Sequence, residues 1–265
     1  MSAAQRNNVV THGPLGARPM VFAHGFGCDQ NMWRYVWPAF AEDYRIVLFD
    51  HVGAGGSDTS VFDRARYGSL EGYAEDLREI CRELELNDVV FVGHSVSAMI
   101  GLLAAAAEPN RFGELVLLGP SPRYIDDEDY VGGFTRADIE ELLDSMDSNY
   151  LGWSSAMAPV IMGNEDRPEL GAELANSFCR ADPEIAAHFA RVTFLSDNRA
   201  DLSRVQTPAL ILQCSRDAIA PEAVGEYVHQ HLPDSRLIQL QATGHCPNLS
   251  APEETIAAIS SYLAS

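Results

Sequence analysis

The chain has 265 residues, 46 % of them hydrophobic, enough for one sizeable α/β core with an insertion, and no apolar run approaches the roughly 18 residues of a membrane span. Its formal charge is −20 and all 18 basic residues are arginine. Neither nucleic acid nor an anionic membrane surface is an expected partner, because basic side chains carry such binding; without lysine, Schiff-base and P-loop chemistry are excluded.

The polar segment from Met1 to Leu15 lacks a signal-peptide pattern, which predicts a cytoplasmic protein. Five scattered cysteines (Cys28, Cys81, Cys179, Cys214, Cys246) include no C-x-x-C pair, so reduced thiols are expected rather than a disulfide framework or zinc site. The histidines show no H-E-x-x-H spacing, and no metal or other cofactor is expected.

Short, nearly unbroken apolar runs alternate with helical segments along the chain. Strands are predicted at Val21–Ala23, Arg45–Phe49, Val89–Val92, Leu115–Leu118 and Ala209–Leu212, with a weaker one at Leu237–Leu240. Helices are predicted at Trp33–Phe40, Leu70–Leu84, Val96–Ala107, Pro221–Leu232 and Pro252–Leu263, several opening on proline. This is the doubly wound α/β pattern, with these strands parallel in one mostly parallel sheet. From Arg123 to Asn198 no strand-like run occurs, only acidic amphipathic segments such as Arg136–Leu143. The predicted division is therefore a core of residues 1–122 and 199–265, with 123–198 as a helical lid above the C-terminal ends of the strands, where open α/β sheets bind ligands.

Gly93-His94-Ser95-Val96-Ser97 lies between a predicted strand and a predicted helix, the setting of a nucleophile elbow. Ser97 stands where the usual pattern has a second glycine. A serine hydroxyl needs a base and an acid that orients it. Asp217 follows the strand at Ala209–Leu212 and His245 follows that at Leu237–Leu240, so Ser95, Asp217 and His245 occur in the order expected of a triad on this kind of sheet. The oxyanion donors are expected to be the backbone N–H groups of Val96, just after the nucleophile, and of Phe26, in the loop His24-Gly25-Phe26-Gly27. His24 and His94 are expected to hydrogen-bond the core beside that loop, and Gly53-Ala54-Gly55-Gly56, with no helix behind it, to form a tight turn.

These residues, together with Gly132-Gly133-Phe134, Asn149-Tyr150, Trp153 and Gly244-His245-Cys246-Pro247, resemble the RsbQ-like α/β-hydrolases, a group that takes in a bacterial stress-response regulator and the plant strigolactone and karrikin receptors. The resemblance runs nearly end to end. It implies the α/β-hydrolase fold with a four-helix lid, a narrow apolar cavity above Ser95 lined by Phe26, Phe134, Trp153, Phe194 and the flank of Val96, and slow or selective hydrolysis of a small hydrophobic ester or lactone. Met157 stands in that cavity set where these relatives typically carry phenylalanine. By the same resemblance the chain is expected either to be an esterase or lactonase working through an acyl-Ser95 intermediate, or to be a ligand receptor that activates a partner, in bacteria a PAS-containing serine phosphatase. Dehalogenase or epoxide-hydrolase chemistry is disfavoured, because those relatives need a carboxylate where this elbow carries Ser95.

Overall fold

The computed structural model describes residues 1–265. Seven strands form one sheet: β1 (Val10–His12), β2 (Arg18–Ala23), β3 (Tyr44–Phe49), β4 (Val89–His94), β5 (Phe112–Leu118), β6 (Ala209–Arg216) and β7 (Ser235–Thr243), in the spatial order β1-β3-β2-β4-β5-β6-β7. The six strands from β2 to β7 pair in parallel. Val89 to Val92 are completely buried, as befits a central strand covered on both faces.

Successive residues of each strand feed two different cores. Phe22, Val90, Val92, Val116, Leu210 and Leu212 point to one; Val21, Ala23, Phe91, Leu115, Leu117 and Ile211 point to the other. The second core is covered by α2 (Leu70–Glu83), α3 (Val96–Ala107) and α9 (Glu222–His231), and the one-turn helices α1 (Ala3–Arg6), α8 (Arg199–Leu202) and α10 (Pro247–Ser250) lie beside α2, α3 and the last helix of the chain. The first is covered by α11 (Pro252–Leu263) and by a run of four helices between β5 and β6: α4 (Arg136–Ser148), α5 (Tyr150–Met162), α6 (Pro168–Phe178) and α7 (Pro183–Phe194). The Asn198 N–H donates to the Pro122 carbonyl at 2.7 Å and ties the two ends of this excursion together.

Local chemistry starts and stops these helices. Thr135 and Asp138 form a reciprocal capping box at the start of α4. Asp182 caps α7 by accepting from the N–H groups of Glu184 and Ile185, with Pro183 in the first turn. On α4, Ile139, Leu143 and Met146 are buried, while Asp138, Glu140, Glu141 and Asp144 face solvent.

One predicted element differs from the structure, and one strand was not predicted. The segment Trp33–Phe40 is not one helix but two short 3₁₀ turns, Gln30–Trp33 and Trp37–Phe40, because Pro38 has no N–H for a helical bond and disfavours the helical conformation of Trp37 before it. The sheet is mostly parallel as expected, and the strand that was not predicted, β1, runs antiparallel to β3, pairing Val10 with Leu48 and His12 with Ile46. With three residues, none of them buried, β1 carries no hydrophobic pattern to read.

Candidate active site

The loops at the C-terminal ends of β2, β4, β6 and β7 bring the candidate residues to one place. β4 ends at His94 and α3 begins at Val96, leaving Ser95 in a single-residue turn with φ 56° and ψ −122°. Such a conformation in a residue with a Cβ stores roughly 1–3 kcal/mol of strain and persists only where neighbours enforce it. Here the Ser95 N–H donates to Leu118 O at 2.8 Å, and its carbonyl accepts from Ala98 at 2.9 Å. Gly93 makes the tight approach possible, since a Cβ there would lie 2.6 Å from both the Phe91 ring and the Ser97 carbonyl oxygen.

Ser97 fits in the usual glycine position and is put to use. Its hydroxyl donates to the His24 carbonyl and accepts from Nε2–H of His51 at 2.7 Å. His24 in turn accepts the His51 N–H at its Nε2, 3.1 Å away, and donates from Nδ1 to Gly25 O at 2.9 Å. A buried network therefore runs from the elbow to the loop that carries Phe26. The role expected for His24 holds, and it holds for His94 as well, whose Nε2–H donates to the His245 carbonyl at 2.7 Å.

His245 Nε2 accepts from Ser95 Oγ at 2.7 Å, and His245 Nδ1–H donates to Asp217 Oδ2 at 2.7 Å. The other carboxylate oxygen of Asp217 accepts the N–H groups of Ile219 at 2.8 Å and Ala220 at 3.1 Å. Burial opposes ionisation of Asp217, but the attraction of His245 and these three donors together hold its carboxyl below the ordinary aspartate range. The loop of His245 is fixed from above, its N–H donating to Ile161 O on α5 at 2.9 Å. Gly244, at φ 81°, permits this approach: a Cβ there would be 1.7 Å from the Met162 carbonyl oxygen.

The backbone N–H groups of Phe26 and Val96 have no acceptor within the fold, which leaves both free to bind a developing oxyanion. The Phe26 ring sits among Trp153, Phe178, Phe189 and Phe194, with centroids 5.8–6.1 Å away.

Above Ser95 lies a cavity with about 410 Å³ of atom-free space counted out to its mouth. Phe26 and Phe194 line it as expected, with Tyr124, Ile161, Leu174 and Phe178 making most of the remaining wall. Phe134, Trp153 and Met157, expected in the wall, are not lining residues, and neither is Val96, whose side chain is buried in the second core. Trp153 stands one layer back, its ring 5.4 Å from Phe178. Phe134 is committed by its backbone to Tyr124 and Asp126, and Met157 packs half-buried on the core. Cys28 and Cys246 also line the cavity; burial pushes the Cys28 thiol up to about 12 and the Cys246 thiol well above its usual range, so both stay protonated beside the serine.

Buried neutral histidines make stability depend on pH. Burial, then repulsion from His245, lowers His94 to about 3, and burial lowers His51 well below its usual value. The unfolded chain binds protons at these sites below about pH 6.5 and the folded one does not, so their contribution is complete above that value and is lost as pH falls below it, for His94 until about pH 3. Each should add about 1.4 kcal/mol per pH unit to the slope in that window. Urea unfolding at pH 7.5, 6 and 5 measures it, and stability that stays level from 7.5 to 5 would contradict the neutral-histidine assignment.

A profile described as "Alpha/beta hydrolase family" matches residues 20–258. The chain belongs to this family. Among relatives of the hydrolase, "Karrikin insensitive 2 receptor IA" of Petunia hybrida is 42 % identical over 91 % of this chain and 88 % of its own length. "Strigolactone esterase D14" of Arabidopsis thaliana is 40 % identical over 90 % of each. A solved hydrolase from Oleispira antarctica superposes with a TM-score of 0.96 at 41 % identity, covering 99 % of this chain and 96 % of the other.

The wall residues that sequence reasoning missed include Cys28 in the loop after β2, Tyr124 in the segment after β5 and Ile161 on α5, besides two further sets. Ile219 and Cys246 stand beside Asp217 and His245, and adjacency alone could have found them. Leu174, Phe178 and Thr193 sit on α6 and α7, where the inward face of an amphipathic helix does not say which buried residue meets the cavity.

Proposed function

We propose that this α/β-hydrolase cleaves a small, largely apolar ester or lactone through an acyl-Ser95 intermediate. The observation that carries the reading is the unbroken relay Ser95–His245–Asp217, with both links at 2.7 Å, opening into a cavity with mostly apolar walls. His245 Nε2 takes the Ser95 proton as Oγ attacks the carbonyl carbon, and the Phe26 and Val96 N–H groups receive the oxyanion. Collapse expels the alkoxide, which His245 protonates; for a lactone the alcohol remains attached to the acyl group. Water, deprotonated by the same imidazole, then frees Ser95. The helices α4 to α7 act as a lid that excludes bulk water and selects by shape.

A second reading, that the same site serves a ligand receptor, is favoured by the 40–42 % identity to proteins named as karrikin receptors and strigolactone esterases. In this reading acylation or occupancy of the cavity alters the lid, whose exposed acidic face on α4 meets a protein partner; the bacterial version suggested by the sequence is a PAS-containing serine phosphatase in a cytoplasmic stress response. Intact-mass measurement during incubation with small esters and lactones tests both. An acyl adduct on Ser95 that forms and disappears over many turnovers supports the enzyme reading. An adduct that persists after one equivalent of product supports the receptor reading. No adduct and no product across the panel would overturn the proposal of acyl transfer.

A further inference from the structure

Apart from the two protonated thiols, the polar side chains of the cavity wall are those of five residues, His94, Ser95, Tyr124, Thr193 and His245, and the Tyr124 hydroxyl faces Ser95. Ser95 and His245 are bonded to each other, and His94 donates to the backbone of His245. Thr193 is different. It is 1 % exposed, and its Oγ1 has no hydrogen-bond partner anywhere in the fold. A helical threonine ordinarily returns its hydroxyl to a carbonyl one turn earlier. Thr255 does so with Ala251 at 3.0 Å, and the buried Ser154 does the same with Tyr150 at 2.8 Å. Thr193, in the last turn of α7 beside Phe194, makes no such bond.

Core packing accounts for the branched shape of this side chain but not for its oxygen, because valine fills the same volume without stranding a polar atom. A lone hydroxyl in an apolar cavity wall is unfavourable while the cavity is empty and becomes favourable when a ligand supplies its partner. The ester carbonyl is already provided for, since its oxygen goes to the free N–H groups of Phe26 and Val96. A hydroxyl beyond that pair must serve another atom.

Building on the acyl-serine reading, we infer that Thr193 is a specificity-determining residue that donates to a second oxygen acceptor on the substrate, a carbonyl or ether oxygen separate from the group that reacts. The preferred substrates are thus apolar esters or lactones with one further acceptor. A purely hydrocarbon ester leaves the Thr193 hydroxyl buried and unpaired in the complex, and is discriminated against for that reason.

Two matched pairs of probes test this: para-nitrophenyl valerate against para-nitrophenyl levulinate, which adds a ketone to the acyl chain, and the acetates of para-ethylbenzyl and para-acetylbenzyl alcohol, which add it on the other side. Wild type should favour the ketone in at least one pair. Thr193→Val should lower the ratio of kcat/KM for that ketone to kcat/KM for its ketone-free partner by about tenfold, and Thr193→Ser should keep the preference. Calorimetric binding of the same probes to Ser95→Ala, with and without Thr193→Val, should show the same loss. Because binding needs no chemistry, a preference seen there without any turnover in wild type would count against the acyl-serine reading and still support Thr193. No preference in either pair, or an equal effect of Thr193→Val on both members, would overturn the inference.

Discussion

Replacing Ser95 with alanine should lower ester turnover by about 10⁴–10⁶-fold and leave the fold intact. The size of the loss follows from the proposed role of the hydroxyl, which is to form the covalent intermediate, and no other nucleophile in the cavity replaces it, since the Cys28 and Cys246 thiols are held protonated by burial. The small effect on folding follows from its contacts. Ser95 Oγ makes one hydrogen bond, to His245 Nε2, and the backbone bonds that enforce the elbow, to Leu118 and from Ala98, do not involve the side chain. Alanine keeps the same strained φ and the same helix start. Initial rates at saturating ester, with near-UV circular dichroism as the check on folding, decide the matter; a well-folded variant with wild-type turnover would remove Ser95 from the nucleophile's role.

Ser95 and Asp217 were legible in the sequence because each follows a strand whose character is plain. Val89 to Val92 form an unbroken buried run, and Ala209 to Leu212 another, so the loops after them had to emerge at one edge of a parallel sheet. His245 was placed by the weaker strand before it, and its position is fixed less by that strand than by Gly244 and the contact with α5, which no local pattern announces.

The cavity wall was only partly legible for a related reason. Phe26 and Phe194 were expected there and line it, but Trp153 and Phe178 exchange roles: both are large, buried and aromatic on adjacent helices, and their stacking order depends on how α5 and α6 pack. Hydrophobic periodicity identifies the face a helix buries, while the depth of each residue behind that face is set by tertiary packing. The Ser97 network shows the same limit in a polar setting. Its partners His24 and His51 come from loops after β2 and β3, and only the three-dimensional fold joins them.

Asp217→Asn is the second substitution with a very large expected effect, a fall in kcat approaching 10⁴-fold with little change in KM. Asparagine preserves the shape, and its remaining carbonyl oxygen can still accept the Ile219 and Ala220 N–H groups, so the loop after β6 should stay in place. What changes is the atom facing His245. Where Asp217 Oδ2 now accepts from Nδ1–H at 2.7 Å, the amide would present an NH₂ group, which cannot accept and which favours an imidazole with its proton moved to Nε2. In that tautomer Nε2 has no lone pair for the Ser95 proton, and the charge that would stabilise an imidazolium is also gone. Steady-state kinetics of the folded variant on a para-nitrophenyl ester measure the loss. A fall of less than about tenfold would mean that Ile219, Ala220 and the loop geometry orient His245 without help from the charge, and would reduce Asp217 to a structural anchor.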